Sequence, residues 1–157
     1  MKVCAAKDIT QKEIADRYIS FIDESLQLDS NQKGLVESKI NLLAGSRQYS
    51  RVIEEIEKQQ KKVGSNRSAA YIVGIFYELV ANYEKADSCY NVTRSFMLEH
   101  GDNSCNSKLI SKHVNVLLRI EDTTTLPESC NNKRVYPGTY NLNRKEIIES
   151  YTGYHNQ

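Results

Sequence analysis

"AAYIVGIFYELVANYEKADSCYN", residues 69–91, decides how the chain is read. Its first half is apolar at nearly every position, and its second half sets Glu84, Lys85 and Asp87 among small and aromatic residues. One continuous helix would run an apolar stripe straight into a polar one. A turn near Ala81 to Tyr83 instead folds two helices against each other, with Gly74 and Ala86 small enough for close contact across the hairpin. The stretch therefore predicts an antiparallel helix pair with Tyr77 and Tyr83 packed around its turn.

The flanking sequence extends the pattern in both directions. "TQKE" (10–13) reads as a capping box opening a helix over about 10–28, with Ile14, Tyr18, Phe21, Ile22 and Leu26 on its buried face. Asp29 or Ser30 can cap a second helix that carries Val36, Ile40 and Leu43 on one side. "AGSRQY" (44–49) is the next turn, followed by a helix with Val52, Ile53 and Ile56. Ser65 or Asn66 can cap the fourth helix, which ends at Leu79. The fifth runs from about Tyr83 to His100 and stops at Gly101, a residue suited to a left-handed C-terminal cap. Ser104 starts a sixth, with Leu109, Val116, Leu117 and Ile120 spaced for burial. After Asp122 the sequence turns to loop chemistry, "TTTLPESCNNKRVYPGTYNLN", in which 134–140 is the one place for an extended piece, and "RKEIIESY" (144–151) is helical again. The expectation is an all-α chain, a single domain over 1–157 with a helical core over 10–121 and a loop-rich segment over 122–157. Its antiparallel hairpins either stack as a short array or form an irregular bundle.

The totals narrow the function classes. The 21 Lys and Arg balance 20 Asp and Glu, so no long-range field steers the chain to nucleic acid. No run reaches the ~20 apolar residues of a membrane span. "MKVCAAKDITQKE" holds no apolar signal region, which predicts a cytosolic chain or one whose leader precedes this sequence.

Residues 67–101 resemble a tetratricopeptide repeat, the 34-residue helix-turn-helix unit of protein-binding solenoids. Gly74, Tyr77, Tyr83, Ala86 and Tyr90 fall at that family's intervals, with Ala70 where it often has tryptophan. A shift by one repeat length pairs Val36 with Ala70, Leu43 with Tyr77, Tyr49 with Tyr83, Val52 with Ala86 and Ile56 with Tyr90, so 34–66 is a degenerate second copy. It departs from the pattern at Ile40 and Val52, which stand for Gly74 and Ala86, and this predicts looser packing. A shift by the same length in the other direction places Ser104, Ser107 and Lys108 at core positions and fails. The resemblance implies a surface that binds another protein and is lined by the first helix of each pair: Glu37, Asn41 and Ala44 in one, Ser68, Tyr71, Ile75 and Glu78 in the other. The competing reading packs Tyr71 and Ile75 against another helix of the same chain.

The four cysteines have no zinc spacing. The sixth helix carries the chain away from Cys105, and the nine residues after it are long enough to bring Cys130 back, so Cys105 and Cys130 are the expected disulfide. Cys4 with Cys89 is a second pairing open to the chain. Bridged cysteines favour a periplasmic or secreted protein. Cys89, His100, Cys105 and His113 offer ligand atoms but at helix positions too far apart for one metal, and no nucleophile or phosphate-loop motif occurs. The sequence thus points to a non-enzymatic protein-binding domain without cofactor or metal, an adaptor or an immunity-type inhibitor. Two alternatives stand beside it: an envelope lipoprotein anchored through Cys4, and a small helical enzyme.

Overall fold

The hairpin of residues 69–91 is present as two helices. In the computed structural model the backbone is described for residues 2–121, 125–131 and 140–152, and side chains for 11–121, 125–130 and 140–152. The described residues form helices α1 (Lys2–Leu28), α2 (Lys33–Gly45), α3 (Tyr49–Val63), a 3-10 turn (Arg67–Ala69), α4 (Ala70–Leu79), α5 (Tyr83–His100), α6 (Cys105–Leu117), α7 (Glu128–Asn131) and α8 (Arg144–Tyr151), with no strand among them. The expected extended piece at 134–140 lies almost wholly outside the described residues. Two compact units share this helical chain, 1–58 and 59–157, with the boundary inside α3.

The α4–α5 turn is a left-handed bend. Ala81 takes φ 62°, the Asn82 N–H donates to the Tyr77 carbonyl at 2.9 Å and the Ala81 N–H to Glu78 at 2.9 Å. Those bonds satisfy the last carbonyls of α4. An alanine held there costs roughly 1 kcal/mol that glycine would not. Asn82 then caps α5, its side chain accepting from the Lys85 N–H at 3.3 Å. The same bend occurs one repeat length earlier: Arg47 has φ 61°, with Gln48 N–H on Leu43 at 2.9 Å and Arg47 N–H on Ala44 at 3.1 Å. It recurs at the end of α6, where Arg119 has φ 57° and the Ile120 N–H donates to Asn115 at 2.9 Å. This third copy lies farther beyond Ala81 than one repeat length, so the repeat register misses it.

In unit 59–157 the core gathers Tyr71 and Ile75 of α4, Ala86 and Tyr90 of α5, Val114 and Leu117 of α6 and Ile147 of α8. Gly74 sets how close α4 and α5 come. A Cβ built there would lie 2.7 Å from Tyr90 Cε1 and 3.0 Å from the Ala86 carbonyl oxygen. Gly74→Ala gains about 1 kcal/mol of helix propensity but meets an overpacking cost of about 1–3 kcal/mol. A net loss of about 1 kcal/mol in urea denaturation is expected from the difference of those two effects, and an unchanged or raised midpoint would contradict the close approach. The α2–α3 pair, with Ile40 and Val52 at the matching positions, approaches less closely. There the buried Lys39 reaches across, donating to Asp23 at 2.7 Å and to Glu55 at 2.6 Å. Burial alone would lower the Lys39 pKa, and the hydrogen bonds from its ammonium to Asp23 and Glu55 outweigh it and hold the value raised.

Several local expectations are corrected. The first helix starts at Lys2, so Thr10 lies inside it and does not cap it; "KVCAAKDI" contains no breaker to stop a helix there. That helix buries Ala15 and Ile19, while Ile14, Tyr18 and Phe21 are exposed. Neither Asp29 nor Ser30 caps α2, whose N-cap position is Gln32; Asp29 accepts from the Asn31 N–H within the turn. The buried middle of α2 is Lys39 rather than Ile40. Tyr83 opens α5 and is exposed, leaving Tyr77 alone beside the turn. Gly101 is extended (φ −66°, ψ 143°), and its lack of a side chain matters sterically, because a Cβ would run into the Met97 carbonyl. The buried side of α6 is His113, Val114 and Leu117, with Ile120 exposed. Asn66 accepts from the Ser68 N–H but caps the 3-10 turn, while α4 itself has Ala69 at its N-cap position and no side-chain cap. By contrast Ser104 caps α6 as expected, accepting from the Ser107 N–H.

Candidate interaction site

The first-helix face of α4 is occupied by the chain's own residues. Tyr71 is buried and Ile75 fully so. The Tyr71 hydroxyl donates to the Tyr151 hydroxyl of α8 at 3.0 Å, the rings meet edge to face at 5.2 Å, and Tyr151 also bonds His113 Nδ1 of α6 at 3.0 Å. The Tyr71 backbone N–H donates to buried Thr93, whose hydroxyl donates in turn to the Arg67 carbonyl. Burial, and then Tyr151, push the Tyr71 hydroxyl far above the usual tyrosine range. Glu78 accepts from the Tyr90 hydroxyl at 3.0 Å and pairs with Arg144 of α8. Burial and Glu78 likewise raise the Tyr90 hydroxyl. Of the seven residues expected to line a partner groove, Tyr71, Ile75 and Glu78 therefore hold α8 and α6 to α4. Ala44 is buried, Ser68 is half-buried, and Glu37 and Asn41 are exposed on α2.

An open concavity of unit 59–157 lies between α5 and α6. It is a cavity of about 620 Å³ whose walls are Arg94, Met97 and Leu98 of α5, Asp102 and Asn103 of the connecting loop, Lys108, Ser111 and Val114 of α6, and Glu121, Thr125 and Pro127 beyond it. That volume suits a ligand group or a short segment of a protein chain. Arg94 and Lys108 are half-buried, and neither makes an ion pair among the described residues. Hydrogen bonds from Ser104 hold the Asp102 carboxyl below the usual carboxylate range, so a negative charge sits at the loop end at neutral pH.

The far wall is held by a disulfide. Cys105 and Cys130 are bonded with Cα atoms 5.7 Å apart, and the Cys130 N–H donates to the Pro127 carbonyl at 2.9 Å. The bridge thus ties Pro127 to the start of α6. Cys89 is a half-buried free thiol; burial pushes its pKa up and Lys85 only partly offsets this. The side chain of Cys4 lies outside the described residues. Cys105, one of four ligand atoms weighed for a metal, is consumed by the bridge, and no metal-type cluster occurs among the described residues.

Sequence reading did not find Arg94 and Lys108. Their one signal is that each lies close in sequence to the "GDNS" turn, on helices that the turn sets side by side. No protein-family model matches the chain, and neither a curated protein nor a solved structure matches it.

Proposed function

We propose that this chain is a non-enzymatic protein-binding domain, an adaptor or an immunity-type inhibitor, and that it receives its partner in the cavity between α5 and α6. The observation that supports binding is the recurrence of one hairpin bend at Arg47 and Ala81, one repeat length apart, in a chain whose hairpins resemble tetratricopeptide units. The cavity rather than the α4 face takes the partner, because the chain's own α8 already covers Tyr71 and Glu78. Arg94 and Lys108 would accept a carboxylate from a partner loop while Met97 and Leu98 take an adjoining aliphatic group. The Cys105–Cys130 bridge favours an oxidising compartment, periplasmic or extracellular.

The test is affinity capture from a native extract, followed by titration of the captured protein. Arg94→Glu with Lys108→Glu is expected to weaken binding roughly 30-fold or more, since charges desolvated at an interface are costly to mispair. Capture at wild-type strength by the double variant, with its helical content intact, would overturn the assignment.

A further inference from the structure

On α1 three of the residues expected to be buried, Ile14, Tyr18 and Phe21, form a bare stripe together with Leu28. Ile14, Tyr18, Phe21 and Leu28 are 47%, 58%, 66% and 91% exposed. At about 100° per residue they lie within an arc of roughly 80°, with Ser25 between them. The packed side of the same helix, Ala15, Ile19, Ile22 and Leu26, is centred about 110° away. The apolar surface of α1 is therefore much wider than what unit 1–58 covers, and large aromatic groups in its open half mark an interaction face. The steps 14, 18, 21, 25, 28 alternate by four and three, the spacing of a helix that packs against one other helix.

We propose that α1 pairs antiparallel with α1 of a second copy of this chain. Charge on the stripe's edge selects that occupant. Arg17 and Glu24 flank it on the same side, both exposed and without an ion pair among the described residues. A two-fold axis that sets Tyr18 against Phe21 of the second copy brings each Arg17 within about 3 Å, along the helix axis, of the other's Glu24. A parallel pair would instead set the two charged edges on opposite sides of the interface, where Arg17 and Glu24 cannot meet, so the charges favour the antiparallel orientation.

Sedimentation equilibrium of the full chain tests this. A dimer is expected. Tyr18→Asp with Phe21→Asp should give a monomer of unchanged helicity, because both side chains are outside the core. Arg17→Glu alone should weaken the dimer roughly tenfold, and adding Glu24→Arg should restore it. Three results overturn the proposal: a wild-type monomer at every soluble concentration, a dimer indifferent to Tyr18 and Phe21, or a charge swap that does not restore what Arg17→Glu loses. A wild-type monomer would hand the stripe to a different protein.

Discussion

Arg144→Met is expected to lower the stability of unit 59–157 by about 3 kcal/mol. The Glu78 side chain is 11% exposed and that of Arg144 25%. Glu78 Oε1 receives both the Arg144 guanidinium and the Tyr90 hydroxyl, and the Arg144 Nε also donates to the Leu117 carbonyl at 3.3 Å. One ion pair thus joins α4, α5, α6 and α8. Methionine keeps most of the arginine's apolar stem but leaves a nearly buried carboxylate with a single hydroxyl for company. The partial exposure of Arg144 is why the figure sits at the low end for a broken buried pair. Glu78→Gln added to Arg144→Met removes the stranded charge while keeping an acceptor for Tyr90, so the double variant should recover a large part of the loss. Urea denaturation of the four proteins gives the coupling. A loss below about 1 kcal/mol for Arg144→Met would mean that the pair is solvated and holds nothing together.

Opening the Cys105–Cys130 bridge is the second large effect. The bonded residues are 25 apart, and loop-closure entropy for that length corresponds to about 3.5 kcal/mol. Cys105→Ala with Cys130→Ala should shift the denaturation midpoint accordingly. It should also release the wall that holds Pro127 at the cavity, so partner affinity should fall even below the unfolding range. Equal stability with and without reductant would remove the bridge from the account; retained affinity in a destabilised variant would separate the bridge from the cavity.

How much of this is legible in the sequence depends on how local the physics is. The hairpin at 69–91 can be read because a small residue on each helix and a change of polarity near Ala81 are short-range signals. The disulfide can be read because helix rise and chain reach constrain where Cys130 can return. The face of α1 cannot, since its apolar arc is wider than one neighbour covers, and spacing alone does not say which half Ala15 will pull inward. Tyr71 and Glu78 read as groove residues for a related reason. Their partners Tyr151 and Arg144 are 80 and 66 residues away, beyond a loop-rich stretch that carries no register. The third bend, at Arg119, is hidden because it falls out of the repeat register.

The proposed function depends above all on entry of the partner between α5 and α6. Hydrogen exchange of the full chain with and without the captured partner reads this directly. Slowed exchange is expected in the amides of 94–103 and 108–115, with α4 and α8 unchanged because their contact stays closed. Protection confined to α2 around Glu37 and Asn41, or faster exchange in α8 as it leaves Tyr71 and Glu78, would contradict the account and return the binding face to the first helices of the repeat.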